Sequence, residues 1–188
     1  MKRIDFLQSI LGASAFIGLS LSACNETESL QELVNKTKRK ITGNMFGFST
    51  NPIQKVRVGI IGLGNRGNTL IEMFQYLVEN EMAEVIALSD ISEKKVKKVA
   101  EKLAIWQSKQ PILYHKSETE WKKLAKMDNI DLVIIATPWD LHTPMAIYCM
   151  ENEKHVGSEV PIASSIEDCW KLIETAERTQ KHCMMMEN

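Results

Sequence analysis

The shortages of this chain are its first guide. Four of its 188 residues are cysteine, and Cys24, Cys149, Cys169 and Cys183 show no C-x-x-C spacing. That excludes a zinc ribbon and a disulfide-stapled scaffold, and no paired histidines stand ready to complete a metal site. No metal is expected. The last three thiols each fall within an apolar periodic segment and are expected to be buried. Neither sign of charge dominates, with 23 basic residues against 24 acidic ones, so the chain lacks the basic surplus of a nucleic-acid binder. No internal repeat is present, which excludes a solenoid or propeller. What remains, 44% hydrophobic and 25% charged residues, is the balance of a single soluble domain with a real core.

No run is comfortable as a transmembrane helix. Phe6 to Leu21 is mostly apolar and small, but short and weakly flanked. It follows the basic start Met1-Lys2-Arg3 and ends in Leu21-Ser22-Ala23-Cys24, which resembles the lipobox of bacterial lipoproteins. Residues 1–23 are therefore expected to be a signal peptide, with Cys24 carrying a lipid anchor to the membrane. An ordinary signal peptide that happens to precede a cysteine is the alternative. Lys2-Arg3-Ile4-Asp5-Phe6-Leu7 also faintly resembles a twin-arginine export signal lacking one arginine. Export to the bacterial cell envelope, lipid-anchored or periplasmic, is the expectation. Residues 24–54 read as a polar linker. Its basic cluster Lys36-Thr37-Lys38-Arg39-Lys40 is either a headgroup contact or a solvated stretch.

The informative segment is Lys55-Val56-Arg57-Val58-Gly59-Ile60-Ile61-Gly62-Leu63-Gly64-Asn65-Arg66-Gly67. A β-branched strand runs into G-x-G-x-x-G, and Leu70, Ile71, Phe74, Leu77 and Val78 follow at helical spacing. This is the pattern of a phosphate turn in a dinucleotide-binding βαβ unit. Gly62 permits the tight turn, Gly64 admits close approach of a pyrophosphate, and Gly67 allows the helix to pack near the strand. The helix start then offers free N–H groups and a positive dipole end to the anion. A second strand, Glu84 to Ser89, ends in Asp90, 23 residues past Gly67. The fingerprint places its ribose-binding acid about 20 residues on. A carboxylate there accepts ribose hydroxyls and repels a 2′-phosphate, which favours NAD over NADP. A strand-end aspartate capping the next helix is the other reading.

The alternation continues. Lys94 to Trp106 reads as a helix, Pro111 to Tyr114 as a strand, and Glu118 to Lys126 as a helix. Leu132 to Ala136 is a continuous apolar run suited to a strand buried on both faces. His142 to Met150 returns as a helix and His155 to Ser158 as a strand. Ser164-Ser165-Ile166-Glu167-Asp168 looks like a capping box opening a helix through about Thr179, and Cys183 to Met186 closes as a strand. Six strands alternating with five helices predict an α/β fold, a doubly wound parallel sheet of Rossmann type over residues 55–188.

Two further motifs carry a resemblance. Ala136-Thr137-Pro138-Trp139-Asp140-Leu141-His142 follows the fourth strand, and Glu153-Lys154-His155-Val156-Gly157-Ser158-Glu159-Val160-Pro161 spans the fifth. With the glycine turn, these resemble the glucose–fructose oxidoreductase/inositol dehydrogenase (Gfo/Idh/MocA) superfamily, whose members commonly read A-T-P…H and K-H-V…E-K-P. Here Val160 stands in place of the lysine that commonly serves proton transfer, a departure from a standard sugar dehydrogenase. The variant E-V-P, the Trp of A-T-P-W and the ending Lys181-His182-Cys183-Met184-Met185-Met186-Glu187-Asn188 are similar to glycoside hydrolase family 109, the bacterial NAD-dependent α-N-acetylgalactosaminidases. The resemblance covers residues 47 to 188, less than half of a complete member, so a C-terminal substrate domain is expected to be absent from this chain. Apolar surface around the last helix and strand is then expected to be exposed, with homo-oligomer formation as one outcome.

The resemblance implies a redox-assisted hydrolysis of glycans ending in α-N-acetylgalactosamine: transient oxidation at C3, elimination, water addition and re-reduction by a held NAD. Cofactor contacts carried over fall on Asn65, Arg66, Asp90, Trp139, Asp140, Leu141, His142, Glu159, Val160 and Asn188. The bland alternatives are an interface aromatic for Trp139, a helix-start polar residue for His142 and a loop acid for Glu159. The tyrosines and histidine that handle the sugar are expected downstream, so no catalytic residue is assigned. A sugar oxidoreductase of the wider superfamily and an inactive cofactor-binding fragment are the competing functions.

Overall fold

Six short apolar segments build one sheet because each is flanked by a helix that covers it. The computed structural model describes residues 43–187. The signal, the lipobox with Cys24, the linker up to residue 42 and Asn188 lie outside the described residues. The elements are β1 (Val56–Ile61), α1 (Asn65–Glu79), β2 (Ala83–Ser89), α2 (Glu93–Leu103), β3 (Ile112–Tyr114), α3 (Trp121–Ala125), β4 (Leu132–Ile135), α4 (Trp139–Glu151), β5 (His155–Glu159), α5 (Ile166–Thr179) and β6 (Cys183–Met186). Every pairing is parallel and the strand order is β3-β2-β1-β4-β5-β6. This is the doubly wound Rossmann sheet that the alternation predicts.

The core has two layers, one on each face. Val58, Ile60, Val85, Leu88 and Ile134 meet Leu70 and Ile71 of α1 and Val96, Val99 and Leu103 of α2. On the other face Ile61, Val133, Ile135 and Val156 meet Leu124 of α3, Met145 and Cys149 of α4 and Leu172 of α5. Side chains such as Ile60 and Leu88 lose all exposure, each contributing about 1.5–3 kcal/mol by burial. At the amino end of the sheet, Asp131 receives a fork of bonds from Arg57, Nε at 2.9 Å and Nη2 at 2.6 Å, and ties β1 to β4. The guanidinium holds the Asp131 carboxyl below its ordinary range.

Several boundaries differ from the sequence reading. Helix α4 begins at Trp139 rather than His142, because Pro138 with its fixed φ of −57° occupies the capping position. Helix α3 shrinks to Trp121–Ala125, its expected first turn being used by a loop. Ser165 caps α5 by accepting from the Asp168 N–H at 3.1 Å, one half of the expected capping box. Of the three thiols expected to be buried, Cys149 is buried, Cys183 is half-buried and Cys169 is exposed. Cys169 belongs to an apolar stripe of α5, with Ile166 and Ile173, that faces away from the core. Ile166, Ile173, Met184 and Met185 are all exposed. The end of the linker lies on this region: Phe48 packs on His182 with ring centroids 4.8 Å apart. Among the described residues, no group of three or more His, Cys, Asp and Glu is placed to hold a metal ion. No helix among them is long and apolar enough to cross a membrane.

Candidate cofactor site

Strands β1 and β4 are neighbours, yet the chain leaves them in opposite directions, toward β2 and toward β5. The connections diverge and open a crevice at the carboxyl ends of the strands, where open α/β sheets bind ligands. A cavity of about 720 Å³ lies there, the size of a small-molecule or cofactor site. Ile61, Gly62, Ala136 and Thr137 line it from the strand ends. Gly64, Asn65 and Arg66 line it from the start of α1, and Ser89, Asp90, Ile91 and Lys95 from the end of β2 and the start of α2. Pro138, Leu141 and Met145 contribute from the α4 side.

The three glycines of the turn do different things. Gly62 has φ +89°, in the left-handed region, and a Cβ there would lie 2.5 Å from the Ala136 carbonyl oxygen. A Cβ on Gly67 would run into the Gly62 carbonyl oxygen. These two are needed by the protein's own packing. Around Gly64, by contrast, a Cβ would meet nothing within 4 Å. That open space adjoins the start of α1, where no side chain caps the helix and no acidic residue stands in the first turn. The N–H groups and dipole of α1 therefore face an open cradle of the kind that receives a pyrophosphate.

Asp90 is fixed at the rim by the backbone. Its Oδ2 accepts from the Leu63 N–H at 2.7 Å, and its Oδ1 accepts from the Ser92 N–H at 2.8 Å. The carboxylate thus locks the glycine turn and also begins α2, as the capping reading has it, and the residue lines the cavity, as the ligand reading requires. Each oxygen keeps a further lone pair, the number that the two hydroxyls of a ribose require. On the opposite side, Arg66 reaches from α1 past β4 to the end of β5. Its Nε lies 2.7 Å from Glu159 Oε1, and the Glu159 side chain is only 9% exposed against 35% for Arg66. The glycine turn and the β5 end are joined by this pair across 93 residues of sequence.

His142 is placed differently from the rest. It is 1% exposed, with Nε2 2.8 Å from the Thr137 carbonyl oxygen and Nδ1 2.8 Å from the Pro161 carbonyl oxygen. Thr143 adds a bond from its hydroxyl to the Ile162 carbonyl at 2.8 Å. The first turn of α4 thereby pins the loop after β4 to the loop after β5, and both ring nitrogens of His142 are engaged by backbone. Trp139 is 67% exposed and Asp140 is exposed; neither lines the cavity, whereas Leu141 does. Val160 is half-buried beside Glu159.

One wall escaped the sequence reading. Ser117, Glu118, Thr119 and Trp121, after β3, line the crevice with Lys95 and Met145. Their signal was topological: any loop following a strand of this sheet emerges at the carboxyl edge. Glu120 holds the loop in shape. Its carboxylate takes a hydrogen bond from Lys123 Nζ at 2.7 Å and backbone bonds from His115 and Lys116 at 3.0 and 2.9 Å. The Lys123 ammonium first, then these N–H groups, bring it down to about 2.

An uncapped helix start above a glycine turn, a fixed acid after β2 and a crevice at the switch point define a dinucleotide-binding domain of Rossmann type. The family model described as oxidoreductase family, NAD-binding Rossmann fold, matches residues 56–187, and the chain belongs to this Gfo/Idh/MocA family. Its cofactor is NAD. The chain is 44% identical over 145 residues to an alpha-N-acetylgalactosaminidase of Bacteroides fragilis, a match covering 77% of this chain and 33% of that protein. It is 42% identical over 145 residues to an alpha-N-acetylgalactosaminidase of Shewanella oneidensis, covering 77% and 31%. The chain thus spans about a third of the length of the curated relatives it matches. Among solved structures, the WlbA dehydrogenase of Chromobacterium violaceum, in complex with NADH and UDP-GlcNAcA, superposes with a TM-score of 0.62 at 26% identity. That match covers 73% of this chain and 37% of the other.

Proposed function

We propose that this chain supplies the NAD-binding part of a glycosidase that releases terminal α-linked N-acetylgalactosamine. The observation that carries the reading is the 44% identity to an enzyme of that name, over a stretch that covers most of this chain. When bound, NAD would supply a hydride acceptor and donor at C3 of the sugar, so that elimination and water addition replace direct displacement and no net redox change results. The chain's own residues then bind and orient. The α1 start with Gly64, Asn65 and Arg66 holds the pyrophosphate. Asp90 takes the adenosine ribose, while Ile91, Leu141 and Met145 keep water from that half of the crevice.

Asp90 and Glu159 stand on opposite sides of the switch point, and each is engaged, by backbone N–H groups and by Arg66 respectively. Both carboxylates are thereby committed to the fold, which accords with a cofactor-assisted route. On the same reading, residues 1–23 act as an export signal and Cys24 as the lipid anchor; loss of fatty-acid labelling on Cys24→Ala checks it.

The test uses the whole gene product and an aryl α-N-acetylgalactosaminide. Aglycone release without net NADH, with solvent deuterium entering at C2 of the product, is the expected result. NADH accumulating with free sugar and no aglycone release would establish a sugar oxidoreductase instead. A cofactor-loaded protein giving neither would leave a binding domain without turnover.

A further inference from the structure

The strands on one side of the crevice lie in the order β3-β2-β1. The anion cradle opens after β1, beside Gly64, and Asp90 stands at the end of β2. Neighbouring strands are about 4.8 Å apart, so the end of β3 lies about 10 Å from that of β1. A dinucleotide held by its pyrophosphate at β1 and by its adenosine ribose at β2 therefore brings its base toward β3. Asp90 is tied to that edge, since its N–H donates to the carbonyl of Tyr114, the last residue of β3, at 3.2 Å. The loop that follows, residues 117–119, lines the same cavity as Asp90. Its shape is held from beneath. Glu120 is 7% exposed and accepts from the His115 and Lys116 N–H groups at 3.0 and 2.9 Å. The Glu120 N–H in turn donates to the Ser117 carbonyl at 3.3 Å, which closes a four-residue turn with Glu118 and Thr119 at its tip. The Ser117 and Thr119 hydroxyls meet at 3.3 Å, and between them Glu118 is the charged group of the tip.

We propose that this loop reads the base of the dinucleotide, the Glu118 carboxylate accepting a hydrogen bond from the 6-amino group of adenine. Glu118 is then a specificity-determining residue of the cofactor site, and no proton or bond changes hands at it. Lys95 lines the same cavity from α2 and sets a cation against the two acids, Asp90 and Glu118. The inference rests on the assignment of this crevice to NAD and adds the group that selects its adenine end.

Hypoxanthine differs from adenine at this edge. A carbonyl oxygen replaces the 6-amino group, and the ring gains a proton at N1. A carboxylate fixed on the clasped turn then faces an acceptor where it had a donor. An ammonium would read the base with the opposite sign, because it only donates and favours the carbonyl. The direction of the preference therefore separates Glu118 from Lys95. The wild type is expected to bind NAD⁺ about tenfold more tightly than nicotinamide hypoxanthine dinucleotide, the low end for a charge-assisted hydrogen bond because the tip is exposed. In Glu118→Gln the amide offers both an acceptor and a donor, so the ratio of the two Kd values falls to about one. In Lys95→Gln both dinucleotides bind more weakly while the ratio stays near its wild-type value.

The experiment is calorimetric titration of the full chain and these two variants with NAD⁺ and with nicotinamide hypoxanthine dinucleotide, alongside melting curves without cofactor. A preference for NAD⁺ that disappears in Glu118→Gln and survives in Lys95→Gln supports the proposal. Equal affinities in the wild type, or a preference that survives Glu118→Gln, overturn it. A preference for the hypoxanthine form that disappears in Lys95→Gln also overturns it and gives the reading to the lysine. If Glu118→Gln fails to fold, Glu118→Asp decides, since drawing the carboxylate back by one methylene removes the same preference. A wild-type chain that binds neither dinucleotide overturns the cofactor assignment itself, whereas one that binds both without preference overturns only the role of the loop.

Discussion

Replacing Asp90 by asparagine separates what its carboxylate does for the fold from what it does for the ligand. The side chain accepts two backbone bonds, from Leu63 at 2.7 Å and from Ser92 at 2.8 Å. Hydrogen bonds to a charged group contribute about 1.5–3 kcal/mol each, neutral ones about 0.5–1.5. Asparagine keeps one acceptor and turns an NH₂ toward the other N–H, so one charged bond is lost and the other becomes neutral. Asp90 is half-buried, and water replaces part of the loss, leaving a net cost of about 2 kcal/mol. For a domain of this size that lowers Tm by roughly 4–8 °C. Two charge-assisted bonds to ribose weaken as well, so the Kd for NAD⁺ rises about tenfold. The affinity for NADP⁺ falls less or rises, because the repulsion of a 2′-phosphate is gone. Thermal melting and calorimetric titration of the full chain with each dinucleotide read all three effects. A variant that melts with the wild type and keeps its preference for NAD⁺ over NADP⁺ would refute the role given to this carboxylate.

Removing the imidazole in His142→Ala takes the ring nitrogens away from the Thr137 and Pro161 carbonyls and opens a void, costing about 2–4 kcal/mol. Melting and NAD⁺ titration distinguish the outcomes: a lower Tm is expected, whereas an unchanged Tm with weaker NAD⁺ binding would make the ring a direct cofactor contact. Glu120 has a folded pKa of about 2 against an ordinary value of 4.5, so the stability it contributes is fully present above 4.5 and disappears as pH falls toward 2. Urea unfolding of wild type and Glu120→Gln at several acid pH values should show a gap that closes over that window; a constant gap contradicts the loop-anchoring role. Burial raises the thiols of Cys149 to about 12 and Cys183 to about 11, whereas Cys169 is exposed. Alkylation of the native chain at mildly alkaline pH, read by peptide mass spectrometry, should mark Cys169 before the other two. Equal labelling of all three would mean that α4 and β6 open readily.

The glycine turn and the place of Asp90 beside it were legible because both follow from covalent spacing. The turn needs its glycines at fixed intervals, and the acid ends the very next strand. Other features needed the fold. His142 reads as a helix-start residue, and nothing local announces that its acceptors come from Thr137 and from Pro161, 19 residues away. The loop Ser117–Thr119 enters the crevice only because α3 carries the chain back to β4 on the far side of β1. Cys169 illustrates a limit of periodicity. The stripe Ile166, Cys169 and Ile173 shows that one face of α5 is apolar, but not that the core takes up the neighbouring stripe of Leu172 and Thr175 instead. The Arg66–Glu159 contact joins two residues that the family resemblance names separately; that they meet is a property of the sheet order alone.

The account stands on a formed NAD site in this chain, and native mass spectrometry of the purified protein, before and after adding NAD⁺, tests it most directly. One NAD per chain, retained through purification or taken up on addition and weakened by Asp90→Asn, is the predicted result. A folded chain whose mass stays that of the bare polypeptide at saturating NAD⁺ would contradict it.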